Sequence, residues 1–87
     1  MWEVRVRKPA RKSVLRAPPP ERERLLRALE EMEREPFTGD IQPLKNRPTA
    51  WRRRVGDWRI FFDVYPEQRL VDVVDIDRRT TTTYRRR

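Results

Sequence analysis

The sequence contains no cysteine, no histidine and only two glycines. The lack of cysteine excludes disulfide bonds and thiolate metal sites. The lack of histidine excludes catalytic dyads and triads built on imidazole, and it excludes most zinc sites. We therefore predict no metal site, and no motif in the sequence indicates any other cofactor.

Long hydrophobic runs are also missing from the sequence. No apolar run approaches the roughly 18 residues that a membrane-spanning helix needs. The N-terminus does not show the basic start, apolar stretch and small-residue cleavage site of a signal peptide. The default expectation is a soluble cytoplasmic protein that makes no membrane contact.

The length of 87 residues predicts a single domain covering residues 1–87. Charged residues make up 41% of the chain, whereas Leu, Ile, Val and Phe together account for 20 of its 87 residues. That share lies just above the roughly 20% below which a highly charged chain is expected to be disordered. The three tryptophans and the patterning described below favour a folded domain.

Positive charge dominates the sequence. It has 22 basic against 14 acidic side chains, and 19 of the basic residues are arginines. Arginine binds phosphate through two parallel hydrogen bonds and stacks on nucleic-acid bases. The net charge of +8 therefore indicates a polyanion as partner.

The N-terminal half predicts one strand and two helices. Residues 2–7 alternate apolar and charged side chains, as a half-buried strand does. Residues 9–16 favour a short helix. An amphipathic helix of about 15 residues begins at Pro20 and ends before Pro36, because the residue preceding proline avoids the helical region. Residues 36–49 are expected to form a long loop.

The C-terminal half predicts three strands. Residues 50–55 and 58–65 form a hairpin, because the intervening Gly56-Asp57 is typical of a type II′ turn. Residues 70–76 form the third strand, and residues 78–87 are a polar, basic tail. The order β-α-α-β-β-β predicts an α+β fold, with a small antiparallel sheet and two N-terminal helices packed on one face.

The hairpin places arginines together on one face of the sheet. Its register sets Arg54 opposite Arg59, a like-charged pair that destabilises a sheet unless an anion binds between the two. Arg52, Arg54, Arg59 and Phe61 share this face, whereas Arg53 falls on the apolar face and is expected to snorkel from an edge.

The simplest pairing of the third strand adds Ile76 beside Arg59, with Arg78 next. A phosphate site made of Arg52, Arg54, Arg59 and Arg78 is the prediction.

These residues resemble the core signature of the RelE/ParE toxin superfamily. The segment 50–64, AWRRRVGDWRIFFDV, matches its hairpin, and Leu44-Lys45 matches the loop before it. The later Arg78 and Tyr84 resemble the C-terminal Arg and Tyr of the RelE branch. The resemblance implies a RelE-like fold and a toxin of a type II toxin–antitoxin system. RelE toxins are ribosome-dependent endoribonucleases: the 2′-hydroxyl of mRNA in the A site attacks the adjacent phosphate, and translation stops.

The resemblance also implies roles for individual residues and partners. The implied catalytic residues are Arg52, Arg54, Arg59, Arg78 and Tyr84. The implied RNA-binding residues are Lys45, Arg79, Arg85, Arg86 and Arg87. Arg59 corresponds to the arginine that stabilises the transition-state phosphate, and Tyr84 to the tyrosine that stacks on or orients a base. The implied partners are an acidic, RelB-like antitoxin, mRNA and the ribosomal RNA of the A site.

One departure from the family pattern concerns the general base. The best-known relatives carry lysine where this chain has Arg52 and Arg54, and an arginine effectively cannot lose its proton. The base for the 2′-hydroxyl is therefore unassigned, with Asp63 as a candidate. Two alternative functions stay open: a ParE-like toxin that poisons gyrase, and a non-catalytic RNA- or DNA-binding domain.

Overall fold

The structure is a computed structural model, and it describes residues 1–79. Its elements are β1 (Glu3–Val6), α1 (Lys8–Arg16), α2 (Pro19–Arg34), β2 (Asp40–Pro43), β3 (Trp51–Val55), β4 (Trp58–Tyr65), a 3-10 turn (Pro66–Gln68) and β5 (Leu70–Arg78). The α+β class and both predicted helices are confirmed. Within these residues, no helix is both long enough and apolar enough to cross a membrane.

The strands form one five-stranded sheet in the order β1-β5-β4-β3-β2. β2, β3, β4 and β5 pair antiparallel, but β1 pairs parallel with β5. The predicted all-antiparallel sheet is therefore wrong at this edge. No short turn joins β1 to β5, since residues 7–69 lie between them, and a long connection permits parallel pairing.

The strand β2 was not predicted, because it lies within the expected loop 36–49. It is short and polar, and it ends in Pro43, which an edge strand tolerates. The remaining loop is held at its base: the Leu44 N–H donates to the Ala50 carbonyl at 2.8 Å. The Ala50 N–H in turn donates to the Asp63 carboxylate at 2.7 Å.

The core lies between the sheet and the two helices. Apolar residues at helical spacing on α1 and α2 meet alternate residues of the central strands. The buried apolar residues are Ala10, Val14, Ala17, Leu25, Ala28, Met32, Trp58, Ile60, Phe62, Leu70, Val71, Val73 and Ile76. Both helices thus cover one face of the sheet, as predicted, and we call the opposite face the open face.

Arg53 points from β3 into the helix layer, as its position in the hairpin predicts. It does not snorkel to solvent, however, because its side chain is only 9% exposed. One guanidinium nitrogen lies 2.5 Å from a Glu31 carboxylate oxygen, and another donates to the Ala28 carbonyl at 3.3 Å. The hydrogen bond that Arg53 donates to Glu31, together with the charge of Arg53, lowers the pKa of Glu31. The buried charge is therefore paired rather than solvated.

Candidate nucleic-acid interface

The β3–β4 hairpin has the predicted register. Gly56 adopts φ +62°, the left-handed conformation required at the first position of a type II′ turn. Arg54 then pairs with Arg59, and Arg52 pairs with Phe61. These four side chains belong to the open face, which neither α1 nor α2 covers.

The register of β5 differs from the prediction because of an irregularity between Phe61 and Phe62. Asp63 lies opposite Asp72, as predicted, but beyond the irregularity Arg59 lies opposite Asp77 rather than Ile76. The sequence does contain a signal for this shift. Val73 and Ile76 are apolar residues three positions apart, which strict alternation would place on opposite faces of the sheet. Both are in fact buried.

A cavity of about 130 Å³ opens on the hairpin end of the open face. Its lining residues are Arg52, Arg54, Gly56, Asp57, Arg59 and Arg79. We call the four arginines Arg52, Arg54, Arg59 and Arg79 the arginine cradle. A cavity lined by guanidinium groups has the chemistry that binds a phosphate through charge-assisted hydrogen bonds.

Neighbouring groups orient the guanidiniums of the arginine cradle. The Arg52 guanidinium donates to the Gln42 side-chain oxygen on β2. Arg54 Nε donates to the Gly56 carbonyl at 3.1 Å, and Arg59 Nε donates to an Asp77 carboxylate oxygen at 3.0 Å. Each guanidinium carries five N–H donors, so these single contacts leave donors for a ligand.

Arg78 and Arg79 point to different surfaces. Arg78 pairs with Trp58 on the helix-covered side: its guanidinium lies 5.9 Å from the Trp58 ring centroid and 3.8 Å from a Glu21 carboxylate oxygen. The prediction that Arg78 converges with the other arginines is therefore wrong, because that prediction assumed a β4–β5 pairing without the irregularity. The Arg79 backbone N–H donates to the Asp57 carbonyl at 2.7 Å, and the residue lines the cavity.

Asp77 is a site residue that the sequence reasoning missed. It binds Arg59, and both side chains are partly exposed. Asp63, the earlier candidate for the general base, also lies on the open face, but one of its oxygens accepts the Ala50 N–H and so fastens the 44–50 loop. Lys45 is exposed in that loop. The predicted site residues Tyr84, Arg85, Arg86 and Arg87 lie outside the described residues.

A second charged pair lies at the other end of the open face. Arg7 binds both oxygens of Asp72, at 2.8 and 2.9 Å. Asp72 is buried, and the hydrogen bonds and charge of Arg7 lower the pKa of this carboxyl. The same contact raises the pKa of Arg7. This pair joins the residue that follows β1 to β5 and is structural.

Comparison with known proteins identifies the fold. The sequence matches no family model, and no curated protein matches it. A RelE–RelB complex from Pyrococcus horikoshii OT3 aligns with a TM-score of 0.78 at 21% identity, over 92% of this chain and 97% of the other. The RelBE2 toxin–antitoxin complex of Mycobacterium tuberculosis aligns with a TM-score of 0.76 at 25% identity, over 90% and 98%. The isolated E. coli RelE toxin aligns with a TM-score of 0.76 at 18% identity, over 97% and 92%. The chain therefore has the RelE-like toxin fold, as the resemblance implied.

Proposed function

We propose that this chain is the toxin of a type II toxin–antitoxin system and that it cleaves mRNA in the ribosomal A site. The observation that carries the proposal is the arginine cradle, which lines a cavity of about 130 Å³ on the face of the sheet opposite α1 and α2. The likeness of the fold to RelE toxins supports the same conclusion. A protein acting on ribosomes would work in the cytoplasm.

The proposed reaction is a transfer within the RNA backbone. The 2′-hydroxyl oxygen forms a bond to the adjacent phosphorus, and the bond from phosphorus to the 5′-oxygen of the next nucleotide breaks. The products are a 2′,3′-cyclic phosphate and a 5′-hydroxyl, which takes up a proton. Negative charge grows on the phosphate oxygens in the transition state, and the arginine cradle stabilises that charge. Tyr84 is proposed to stack on a neighbouring base.

The proton of the 2′-hydroxyl needs an acceptor, and arginine cannot serve. We assign this role to Asp77. Its carboxylate is bound to Arg59, and a phosphate that takes over Arg59 would release the carboxylate beside the reacting groups. Asp63 is less suited, because it already accepts the Ala50 N–H. Positioning of the mRNA by the ribosome supplies the rest of the rate enhancement.

An acidic, RelB-like antitoxin is the proposed protein partner. Two of the similar solved structures are toxin–antitoxin complexes, RelE–RelB from Pyrococcus horikoshii OT3 and RelBE2 from Mycobacterium tuberculosis. The net charge of +8 favours an acidic segment. Exposed apolar side chains, such as Leu15 at 65% and Phe37 at 44%, offer it contacts. A segment that folds on the toxin would cover them.

Primer extension tests the proposed activity. The protein is added to an extract that translates a defined mRNA, and the 5′ ends of the fragments are mapped. We expect cuts inside codons during translation, and none when initiation is blocked. Arg11→Ala, which removes an exposed arginine of α1, is the matched control and should cut like the parent. Cuts that do not depend on translation would indicate a ribonuclease that acts without the ribosome. No cuts at all would favour the alternatives of a non-catalytic nucleic-acid binder or a gyrase poison.

A further inference from the structure

A second cavity on the open face adjoins the arginine cradle. It has a volume of about 250 Å³ and is lined by residues 47–49, Phe61, Val74, Asp75 and Asp77. Two contacts tie it to the cradle. Asp77 is bound to Arg59, and the Arg59 guanidinium lies 5.7 Å from the centroid of the Phe61 ring. A ligand in this cavity would therefore lie next to a phosphate bound by Arg59.

Phe61 is an aromatic residue that does not serve the core. The hydrophobic cluster between sheet and helices includes Ile60 and Phe62, its neighbours on β4, but not Phe61. Its ring lies on the open face, opposite Arg52, and is partly exposed. An exposed ring beside arginines is the arrangement that stacks on nucleic-acid bases in single strands.

Asp75 gives the same cavity a hydrogen-bond acceptor. One of its carboxylate oxygens accepts the N–H of Ile76 at 2.9 Å, and the other has no hydrogen-bond partner within residues 1–79. The side chain is exposed. Acidic side chains in nucleic-acid complexes accept hydrogen bonds from exocyclic amino groups, such as N4 of cytosine. Uracil and thymine carry no amino group.

We propose that this cavity binds the nucleobase adjacent to the phosphate in the arginine cradle. Phe61 stacks on the base, and Asp75 selects bases with an exocyclic amino group over uracil. The inference rests on the proposed function only in taking RNA as the ligand. It assigns base preference to residues of the described domain, in addition to any contact from Tyr84.

Binding of short, fluorescently labelled oligodeoxynucleotides of dC, dA or dT tests this proposal at low salt. DNA lacks the 2′-hydroxyl, so it binds without being cut. We expect the parent to bind oligo-dC and oligo-dA about 5-fold or more tighter than oligo-dT. Phe61→Leu keeps an apolar side chain but removes the ring, and it should weaken binding of all three by about 10-fold. Asp75→Asn keeps an oxygen for the Ile76 N–H and should abolish the preference.

Two matched variants control for loss of an aromatic ring and loss of a charge. Tyr65→Leu changes an exposed aromatic residue at the far end of β4, and Glu67→Gln changes an exposed acid of the 3-10 turn. Both should keep the parent's affinities apart from a small, base-independent gain in Glu67→Gln. Unchanged affinity in Phe61→Leu, or an unchanged base preference in Asp75→Asn, with parental melting temperatures, would overturn the proposal.

Primer extension with the same variants separates this inference from the proposed function. If the parent cuts mRNA and Asp75→Asn cuts the same codons at the same rates, the base cavity is wrong and the activity stands. If the parent does not cut mRNA but shows the base preference in binding, the activity is wrong and the cavity stands.

Discussion

Arg54 lies directly opposite Arg59 across the β3–β4 hairpin, and within residues 1–79 a carboxylate pairs with only one of the two. Arg59 binds Asp77, whereas Arg54 donates to the uncharged carbonyl of Gly56. A like-charged cross-strand pair costs a few tenths of a kcal/mol or more. An anion bound between the two guanidiniums would remove that cost, so the hairpin is less strained electrostatically with its ligand than without it.

Substitution of Arg59 should therefore separate activity from stability. Arg59→Ala removes one member of the repulsive pair and also its partly exposed ion pair with Asp77. These two effects have opposite signs, and each is worth about 1 kcal/mol or less. Cleavage, in contrast, should fall by about 100-fold or more, as when a transition-state donor is removed.

Primer extension and urea unfolding of the same preparations check this prediction. Arg11→Ala is the control, because it deletes an exposed arginine outside the arginine cradle. An Arg59→Ala protein that cleaves at the rate of the parent would show that Arg59 is not the phosphate ligand. An unfolded one would show that Arg59 is needed for the fold, contrary to this prediction.

Asp77→Asn tests the assignment of the proton acceptor. The substitution leaves an uncharged oxygen beside Arg59, so the arginine cradle becomes more positive and should bind uncleavable oligodeoxynucleotides several-fold tighter. Cleavage of mRNA should nevertheless slow by about 100-fold, within the usual range for general base catalysis. Asp63→Asn, the control, should retain most of the activity. Faster cleavage by Asp77→Asn would show that the carboxylate only competes for Arg59.

The Arg7–Asp72 pair makes stability depend on pH in a defined direction. Arg7 lowers the pKa of Asp72 in the folded state. Stabilisation by this pair is therefore fully present above the unfolded-state pKa of about 3.9 and is lost as the pH falls through the lower folded value. Arg7→Gln should lower the melting temperature at neutral pH, and the difference from the parent should narrow at about pH 3.

Thermal unfolding across this pH range, with Arg11→Gln as control, checks the direction. The control should differ little from the parent at either pH, because the described structure gives the Arg11 side chain no ion pair. A constant difference between Arg7→Gln and the parent would mean that Arg7 stabilises the fold by packing alone.

The parts of this fold that follow local rules could be predicted from the sequence. Apolar spacing defined the second helix. The two-residue turn Gly56-Asp57 set the hairpin register, which put Arg52, Arg54 and Arg59 on one face. β2 could not be found in this way, because its four residues are too few to establish an alternating pattern and the segment ends in proline. The parallel pairing of β1 with β5 depends on tertiary packing rather than on any neighbouring turn.

Which residues form the candidate site was harder to predict, because that depends on a one-residue shift in the pairing of β5 with β4. Val74 lies between Val73 and Asp75 and has no partner on β4. Every later side chain of β5 therefore lies on the opposite face of the sheet from the one that an uninterrupted register predicts. That shift brings Asp77 to Arg59 and directs Arg78 to Trp58. The buried pair Val73 and Ile76 was the available signal, but alternation elsewhere in the strand concealed it.

Coexpression tests the antitoxin proposal. Expression of the chain alone should arrest growth, and coexpression with an acidic protein encoded beside it should restore growth and yield a complex that copurifies. The attraction between opposite charges predicts that the association rate falls as salt increases. Normal growth when the chain is expressed alone, with the protein folded and present, would count against the toxin assignment.

The contrast between Arg78 and Arg79 gives the most direct test of the observed register. Family resemblance assigns a catalytic role to Arg78, but the structure places its guanidinium against Trp58 and Glu21, while Arg79 lines the arginine cradle. Arg79→Gln should therefore weaken binding of oligodeoxynucleotides and reduce the salt slope of the binding constant by about 1, as expected for the loss of one phosphate contact. Cleavage should fall with it.

Arg78→Gln should leave the salt slope unchanged and lower the melting temperature slightly, because it loses its contacts with the ring and the carboxylate. If Arg78→Gln instead loses the salt slope and the cleavage while Arg79→Gln keeps both, then β5 reaches the RNA in the unshifted register, and Arg78 belongs to the cradle after all.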